Sequence, residues 1–513
     1  GILLDATFYT LDKSLTNKDA GVYFNITANL QEKFKKDVLS QAYTDFCNGR
    51  QNDRVYQLPQ SKLKDIKSYP FIYWISDEFR GKMKGKDLDK TVDIRAGIQT
   101  SNNNRFLRFW WEIDKSNIYD GINNAKWVVY SKGGPFNKWY GNLWLVIDWE
   151  ENGNKLRKYL LSRGQDLHAQ DYYFLQGITY SASGSKGMSF RYMPKDCLFD
   201  IGGSSIFCVK DFKNSLYLIG LLNSKLSVYL TNCFNPTVNK QPNDIKRIPF
   251  TKPDNNIEMK ISSLSEQCIS IMRKVLNYSI IYKDYRTSPI GNNSLPQIEL
   301  SDYYYRENSL CTLVLLNESV INNLIFKVYS LSVHDRQMVL EKEDIPVGDY
   351  SVSSQAKEAY KEWLSTNTEF PAYPEVWEHI DSLEINEEQP HIDDFESLYQ
   401  NNNGWEEFCI KHKMNPIEVW YQFKNAGILP PQRTQVLAFE LITDVIRSVL
   451  AKDDDGVIPL TERMGEEQLA GRIEQELVER GYNSAQISQI IQLLGTPLDK
   501  YLQDKFFKQL SDH

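Results

Sequence analysis

The hydrophobic pattern of this 513-residue sequence changes near residue 250, and that change constrains the fold more than any other feature. Between about residues 68 and 250, short runs rich in Trp, Tyr, Phe, Val and Ile alternate with turns that contain Gly, as in LWLVIDWEENG at 143–153. Such runs are typical of strands. After residue 250, apolar residues recur at helical spacing between Pro, Asp and Gly breakers, as in QVLAFELITDVIRSVL at 435–450. The sequence therefore predicts a mixed α/β (α+β) domain followed by a mainly α-helical carboxyl-terminal domain.

Three local patterns add detail to this division. The runs ATFYTL and GVYFNIT, which flank a polar stretch within the first 30 residues, predict a β-hairpin, and an amphipathic helix is predicted over about 30–47. The segment SLYLIGLLNSKLSVYLTNCF at 215–234 predicts one helix inside the strand-rich part.

The two parts of the chain carry opposite charge. Residues 1–250 contain 35 Lys and Arg against 25 Asp and Glu, whereas residues 251–513 contain 24 against 42. Basic side chains neutralise phosphates and release counterions, while an acidic surface repels a duplex. A nucleic-acid surface is therefore expected before residue 250. The alternative is two solvated surfaces of unequal charge.

Several classes of protein are disfavoured. No stretch approaches the ~20 apolar residues of a membrane span, and the first residues show no signal-peptide pattern, so we expect a cytoplasmic protein with no membrane partner. The seven cysteines form no CxxC pair and the six histidines are scattered, so no metal site is predicted. The loop SASGSKG at 181–187 differs from GxxxxGK[ST], which disfavours nucleotide hydrolysis.

Six segments resemble, in order along the chain, the PglX-type adenine-specific methyltransferases of BREX phage-defence systems, which carry a TaqI-like specificity domain. They are GIQTSNNNRFLRFWWEI (97–113), YSKGGPFNKWYGN with LVIDWEENG (130–153), QGITYS (176–181), FDIGGSSIF (199–207), LIGLLNSKLSVYLTNCFNPTVNKQPNDIKRIPF (218–250), and NPIEVWYQFKNAGILPPQR through DDDGVIPL (415–460). Their order and joint occurrence make the resemblance specific. The family's tryptophan-containing linker is not recognisable at 260–289.

The resemblance implies that 1–55 is the end of a methyltransferase domain, 56–255 a target-recognition domain, 256–345 a helical linker and 346–513 a helical carboxyl-terminal domain. Methyl transfer to adenine needs a Gly-rich turn for S-adenosylmethionine and an Asn-Pro-Pro-Tyr type loop for the flipped base. The sequence contains neither, and we interpret both Asn235-Pro and Asn415-Pro as turn or helix-start signals. We therefore expect no catalytic residue and no cofactor in this chain, with S-adenosylmethionine bound by the full-length enzyme. Expected partners are duplex DNA, a phage inhibitor that mimics DNA, and other BREX proteins.

Two segments have residues suited to DNA. In YSKGGPFNKWYGN, glycines permit a tight backbone near phosphate, while Lys132, Lys138, Trp139 and Tyr140 offer cations and flat stacking surfaces. The alternative is a hairpin whose Trp and Tyr pack inward and whose lysines are solvated.

The segment GIQTSNNNRFLR follows a predicted strand and supplies amides and a guanidinium of the kind that read base edges in the major groove. The predicted base-reading residues are Gln99, Asn102, Asn103, Asn104 and Arg105. The alternative is an Asn-rich turn capped by its own side chains. Further phosphate contacts are predicted for Lys186, Arg191 and Lys240.

A second class of function stays open at this point. The acidic helical half would dock other defence proteins, and the basic half would touch DNA only weakly, which would make the chain a non-enzymatic interaction platform. The acidic run DDDG at 453–456 lacks the ligand spacing of a calcium loop and predicts a turn that ends a helix.

Overall fold

The computed structural model describes residues 20–26, 32–66, 72–84, 86–121, 125–182, 186–208, 212–399, 404–463 and 465–512. Strands lie in the amino-terminal half and long helices dominate after residue 255, so the predicted fold class is confirmed. The strands are β1 Ala20–Phe24, β2 Val55–Pro59, β3 Lys86–Asp87, β4 Asp93–Arg95, β5 Leu107–Phe109, β6 Trp127–Ser131, β7 Leu145–Asp148, β8 Gly177–Tyr180, β9 Phe190–Met193, β10 Cys197–Phe199, β11 Ser205–Phe207 and β12 Pro249–Phe250.

Two four-stranded sheets position the loops of interest. One has the strand order β10-β6-β7-β5 and the other β4-β11-β8-β9. The pair β10 and β6 is parallel, whereas β6 and β7 are antiparallel with Val128 opposite Ile147. Most of these strands are buried on both faces, which explains their nearly continuous apolar and aromatic composition.

The longest helix packs against several other helices. In chain order, the helices are α1 Glu32–Cys47, α2 Gln60–Leu63, α3 Asp77–Lys82, α4 Asn103–Phe106, α5 Glu150–Leu161, α6 Ser215–Leu222, α7 Lys225–Phe234, α8 Pro242–Lys246, α9 Asn255–Leu276, α10 Pro296–Val328, α11 Val333–Glu343, α12 Ser354–Thr366, α13 Pro374–Ser382, α14 Trp405–His412, α15 Pro416–Ala426, α16 Pro431–Lys452, α17 Leu469–Glu479, α18 Ser484–Leu493, α19 Leu498–Tyr501 and α20 Phe507–Asp512. The longest, α10, contacts α9, α13, α14 and α15 among others. Among the described residues, α10 is the single helix long and apolar enough to cross a membrane, and 89% of its apolar window is buried in the protein.

Three local predictions have different outcomes. The helix predicted over 30–47 is confirmed as α1. The first strand of the predicted hairpin falls within residues 1–19, outside the described residues, and its second strand, β1, pairs with β2. The single helix predicted at 215–234 is wrong, because α6 ends at Leu222 and α7 begins at Lys225. Asn223 bonds the backbone of Phe190 at this break, and Ser224 caps α7.

A small second core lies beneath the segment 98–107. It contains Ile98, Phe106, Leu156, Leu160 and Leu198, all less than 3% exposed. The main core, by contrast, runs without interruption from the sheets into the carboxyl-terminal helices. The strand-rich half and the helical half therefore fold against each other, and the segment 98–107 has a separate apolar support.

Candidate nucleic-acid interface

Five loops meet along one side of the two sheets, and we call this surface the loop edge. Backbone hydrogen bonds join the loops in sequence: Ile201 donates to Ile98 (3.3 Å), Ala182 donates to the carbonyl of Gly202 (3.4 Å), and Lys240 donates to Ala182 (2.7 Å). The loop edge consists of residues 96–105, 132–137, 181–182 with 186–187, 200–204 and 235–241. Its loops come from strand ends and one helix end, so rigid elements position all of them.

Close backbone contact at glycines makes this convergence possible. A Cβ on Gly133 would lie 2.8 Å from the carbonyl oxygen of Gly202, and one on Gly203 would lie 2.7 Å from the amide nitrogen of Gly133. No side chain fits at such distances without a backbone shift. The KGG segment (132–134) and the IGG segment (201–203) therefore pack backbone against backbone, which requires glycine on both sides.

A buried tyrosine ties three of the loops together. The hydroxyl of Tyr130 lies 2.9 Å from Oδ1 of Asp200 and 2.7 Å from the carbonyl oxygen of Ile98. The other carboxylate oxygen of Asp200 accepts from the amide of Gly202 at 3.0 Å. Burial, together with the Asp200 carboxylate, raises the pKa of Tyr130 well above its usual value, so the phenol stays protonated and bonded.

The predicted base-reading residues lie together on the loop edge. All five side chains are exposed, and the helix α4 begins inside the segment. Asn102 caps α4 by accepting from the amide of Arg105 at 3.1 Å, and Thr100 donates to Asn103 at 2.5 Å. Within the described part of the chain, the side chains of Gln99 and Asn104 make no hydrogen bond. The capped-turn alternative thus holds for Asn102, whereas Gln99 and Asn104 keep their donors and acceptors for a ligand.

Arg105 is held in a defined place by two aromatic rings. Its guanidinium carbon lies 5.0 Å from the ring centroid of Tyr159 and 5.3 Å from that of Phe106. Arg163 approaches the same Tyr159 ring at 5.4 Å. The guanidinium of Arg105 is therefore pre-oriented on flat supports while its N–H groups remain exposed.

Two lysines of the predicted phosphate-binding set remain at the loop edge. Lys132 is half-buried, and its ammonium has no hydrogen bond or ion pair among the residues that the structure describes. Lys186 forms an ion pair with Glu407 of α14, and its side chain is 39% exposed. An exposed pair of this kind contributes at most about 1 kcal/mol, so a phosphate can replace the carboxylate.

The structure corrects the prediction for the KWY segment. Lys138 bridges Glu318 of α10 (2.7 Å) and Glu406 of α14 (2.9 Å). Trp139 is 2% exposed and donates from its indole nitrogen to Glu318 at 2.7 Å, and Tyr140 is buried and bonded to Asp284. Both rings pack inward, as in the alternative considered for this segment, and neither has a face left for a base.

The electrostatics of this buried group are governed by its two carboxylates. Burial opposes the charge of Lys138, but Glu318 and Glu406 outweigh it and raise the pKa of the ammonium. Burial also raises the pKa of Glu318, with Lys138 opposing the rise. The group joins the recognition sheets to the helical half at a cavity of about 290 Å³ between them. Its role is structural.

Arg191 and Lys240 also point inward rather than to solvent. Arg191 is 0% exposed and donates to the hydroxyls of Ser181 and Ser189 at 3.2 Å, and burial lowers its pKa to about 10. Lys240 is 4% exposed, and its ammonium donates to Asn232 and to the carbonyl of Asn235. Direct phosphate contact is therefore a wrong assignment for these two side chains in this conformation.

Some residues in or beside the loop edge were missed by the sequence analysis. Tyr159, whose ring supports Arg105, comes from the end of α5, and Arg163, which contacts the same ring, comes from the turn after it. Gly202 and Gly203 stood inside a segment matched to the family, without an assigned role. A basic, amphipathic α5 with exposed Lys155, Arg157 and Lys158 was a usable signal.

Comparison with known proteins finds similarity to two adenine-specific methyltransferases. No protein-family model matches it. It is 27% identical over 348 residues to adenine-specific methyltransferase BrxX of Escherichia coli O9:H4 (strain HS), covering 65% of this chain and 26% of that protein. It is 27% identical over 289 residues to adenine-specific methyltransferase PglX of Lacticaseibacillus casei (strain Zhang), covering 54% and 23%. The chain spans about a quarter of the length of these curated relatives, and its resemblance to the PglX-type proteins is confirmed.

Proposed function

We propose that this homologue of the PglX-type adenine-specific methyltransferases recognises the DNA target for methylation, and that its loop edge is the surface that meets the duplex. One observation carries the proposal: Gln99, Asn104 and Arg105 are exposed together on a segment with its own apolar core. Amides and guanidinium groups are the side chains that pair with adenine and guanine edges. A rigid support keeps the entropy loss on binding small.

The two classes of polar side chain have separate roles in this proposal. Gln99, Asn104 and Arg105 enter the major groove and contact base edges. Lys132 and Lys186 contact phosphates on the flanks, where a flexible ammonium suits a point charge better than a base edge. Phosphate contacts add affinity for any sequence, whereas base contacts add it for one sequence.

The methyl-transfer reaction belongs, in this proposal, to the whole protein. The full-length enzyme binds S-adenosylmethionine and flips the target adenine through motifs that this sequence does not contain. The part described here holds the duplex in register, so that one adenine of the recognised site reaches the reaction centre.

A titration at two salt concentrations tests the proposal. The full chain is mixed with a fluorescent random-sequence duplex, and anisotropy is followed at about 50 and 200 mM salt. Six or more phosphate contacts weaken binding about 1,000-fold over this range, and two or three weaken it about 10-fold to 50-fold. We expect salt-sensitive binding that the variant Lys132→Ala weakens. An affinity that is undetectable at both salt concentrations would contradict the proposal.

A further inference from the structure

We propose that Val238 is a specificity-determining residue that contacts the C5-methyl group of a thymine in the major groove. The inference rests on the proposed function, because it requires the loop edge to face DNA. Val238 belongs to the fifth loop of that edge, in the segment Asn235-Pro-Thr-Val-Asn. The sequence analysis interpreted Asn235-Pro as a turn or helix start and assigned no role to Val238.

Val238 stands out from its surroundings by its exposure. Its side chain is 66% exposed, although β-branched apolar residues usually lie inside proteins. Its neighbours Thr237 and Asn239 are also exposed, so the valine is at the tip of the loop. A single exposed valine is ordinary by itself. The hydrogen bonds that fix this loop make the exposed position of Val238 informative.

Hydrogen bonds fix the loop on both sides of its tip. Asn235 accepts from the amide (3.0 Å) and the hydroxyl (2.7 Å) of Thr237 and donates to the carbonyl of Asn239 at 3.0 Å. The same amide group of Asn235 donates to Asp244 of α8 at 2.8 Å. The loop is thus closed upon itself and anchored to a helix before any ligand is bound.

Lys240 is the positioning residue of this loop. Its buried ammonium donates to Asn232 at 2.9 Å, to the carbonyl of Thr231 at 3.5 Å and to the carbonyl of Asn235. Burial lowers its pKa, and Asp244 and Glu343 oppose that effect. A charged group inside the protein with several acceptors fixes the direction in which the loop leaves α7.

Backbone hydrogen bonds connect the loop of Val238 to the segment that contains Arg105. Three side-by-side steps separate their loops, from Ile98 to Ile201, from Gly202 to Ala182, and from Ala182 to Lys240. At about 4.8 Å per step, the bonded residues Ile98 and Lys240 at the two ends of this series lie within roughly 20 Å of each other. Base pairs rise about 3.4 Å each along one strand, so loops held within this distance can contact one site of about six base pairs.

The apolar side chain of Val238 determines which part of a base pair it can contact. A valine side chain has no donor or acceptor, so it gains nothing from the polar atoms of base edges. The thymine methyl group is the apolar feature of the major groove, and small apolar side chains contact it there. Arg105 reads a polar edge at one end of the site, and Val238 reads a methyl group at the other.

Uracil substitution tests this assignment directly. The full chain first selects its preferred sequence from a random duplex pool. Each thymine of the selected site is then replaced by deoxyuridine, which removes only the methyl group. We expect one position at which the wild type loses affinity about 3-fold to 5-fold, the effect of one buried carbon. Val238→Ala should bind the thymine and uracil duplexes equally there. The control Val457→Ala, a valine 70% exposed in the helical half, should keep the wild-type difference.

Different results distinguish a failure of the Val238 assignment from a failure of the proposed function. If the wild type selects a sequence but no uracil position weakens binding, or if Val238→Ala keeps the full difference, the assignment of Val238 is overturned while the DNA proposal stands. If Val238→Ala binds both duplexes more weakly than the wild type by the same factor, the difference between thymine and uracil remains. The loop then contributes packing or backbone contact, and the assignment of Val238 is also overturned. If the chain selects no sequence, the proposed function fails and this inference fails with it. Because Val238 is exposed, the variant should keep the wild-type melting temperature, which confirms that it is folded.

Discussion

The backbone of Gly203 packs directly on the backbone of Gly133, with 2.7 Å between the position of a Gly203 Cβ and the Gly133 nitrogen. These glycines belong to different sheet-end loops, and their contact keeps the loop edge closed. In a chain whose proposed task is to present side chains at fixed spacing, such a contact has a functional consequence. Any added side chain must push the two loops apart.

Replacement of Gly203 by alanine should therefore lower both stability and DNA affinity. We expect a loss of about 1–3 kcal/mol in the free energy of unfolding, since overpacking against backbone forces a shift. Urea unfolding and duplex titration measure the two effects. Gly81→Ala is the matched control, because Gly81 lies in α3 with nothing within 4 Å, and should leave stability equal or higher. Wild-type stability of Gly203→Ala would show that the contact is loose.

The buried pair of Lys138 and Glu318 should determine stability rather than DNA binding. Lys138→Ala leaves the buried Glu318 and the partly buried Glu406 without their cation, and we expect a loss of about 3 kcal/mol in the free energy of unfolding. Chemical denaturation tests this. The exposed pair of Lys361 and Asp381 offers a control, since Asp381→Asn should change stability by less than about 1 kcal/mol. A Lys138→Ala protein of normal stability with a lower salt slope would restore the phosphate-contact interpretation.

The lowered pKa of Glu476 predicts how the free energy of unfolding changes as the pH falls. Burial raises its pKa, but bonds from Lys452, Ser448 and Arg480 outweigh this and lower the pKa from 4.5 to about 2. Because the folded-state pKa is depressed, this stabilisation is complete above pH 4.5 and is lost as the pH falls towards 2.

Glu476→Gln should therefore destabilise the protein at pH 7 by roughly 2–3 kcal/mol, and the difference from wild type should shrink between pH 4.5 and 2. Unfolding curves at several pH values provide the measurement. Glu479→Gln serves as the control, because that carboxylate also contacts Lys452 but is 66% exposed. A gap between Glu476→Gln and wild type that stays constant down to pH 2 would show that hydrogen-bond loss, not titration, explains it.

Methyl transfer should be absent from this chain alone. The sequence has neither the Gly-rich turn nor the Asn-Pro-Pro-Tyr type loop of an adenine methyltransferase, so we expect no labelled DNA after incubation with S-adenosylmethionine labelled in its methyl group. An established adenine-specific DNA methyltransferase is the positive control. Incorporation of label by the chain above the background without protein would show that it has an unrecognised reaction centre.

Sequence pattern predicted the architecture well because periodicity is a local property. The change from strand runs to helical spacing near residue 250 follows from neighbours within a few positions, as does the capping of α15 by Asn415. The break between α6 and α7 was missed because Asn223 takes its partner, Phe190, from another element.

The predictions for the candidate site also differ according to whether they depend on neighbouring or on distant residues. Exposure of Gln99 and of Ser101–Arg105 follows from a run of polar residues after a strand, which a sequence displays directly. The burial of Trp139 depends on Glu318, which is 179 residues away, and no local pattern carries that information. A basic and aromatic loop can face a ligand or fill a junction, and only the tertiary partners decide between them.

A salt series on two duplexes, carried out with two classes of variant, tests the central claim most directly. The wild type, Lys132→Ala and Arg105→Ala are titrated against the selected site and a scrambled duplex. Lys132→Ala should weaken both about equally and lower the slope of log affinity against log salt by about one. Arg105→Ala should lose about 1–3 kcal/mol on the selected site only, which abolishes discrimination. If Lys132→Ala abolishes discrimination and Arg105→Ala preserves it, the roles assigned to the two residues are exchanged. If neither variant changes binding, the loop edge is not the surface that reads DNA.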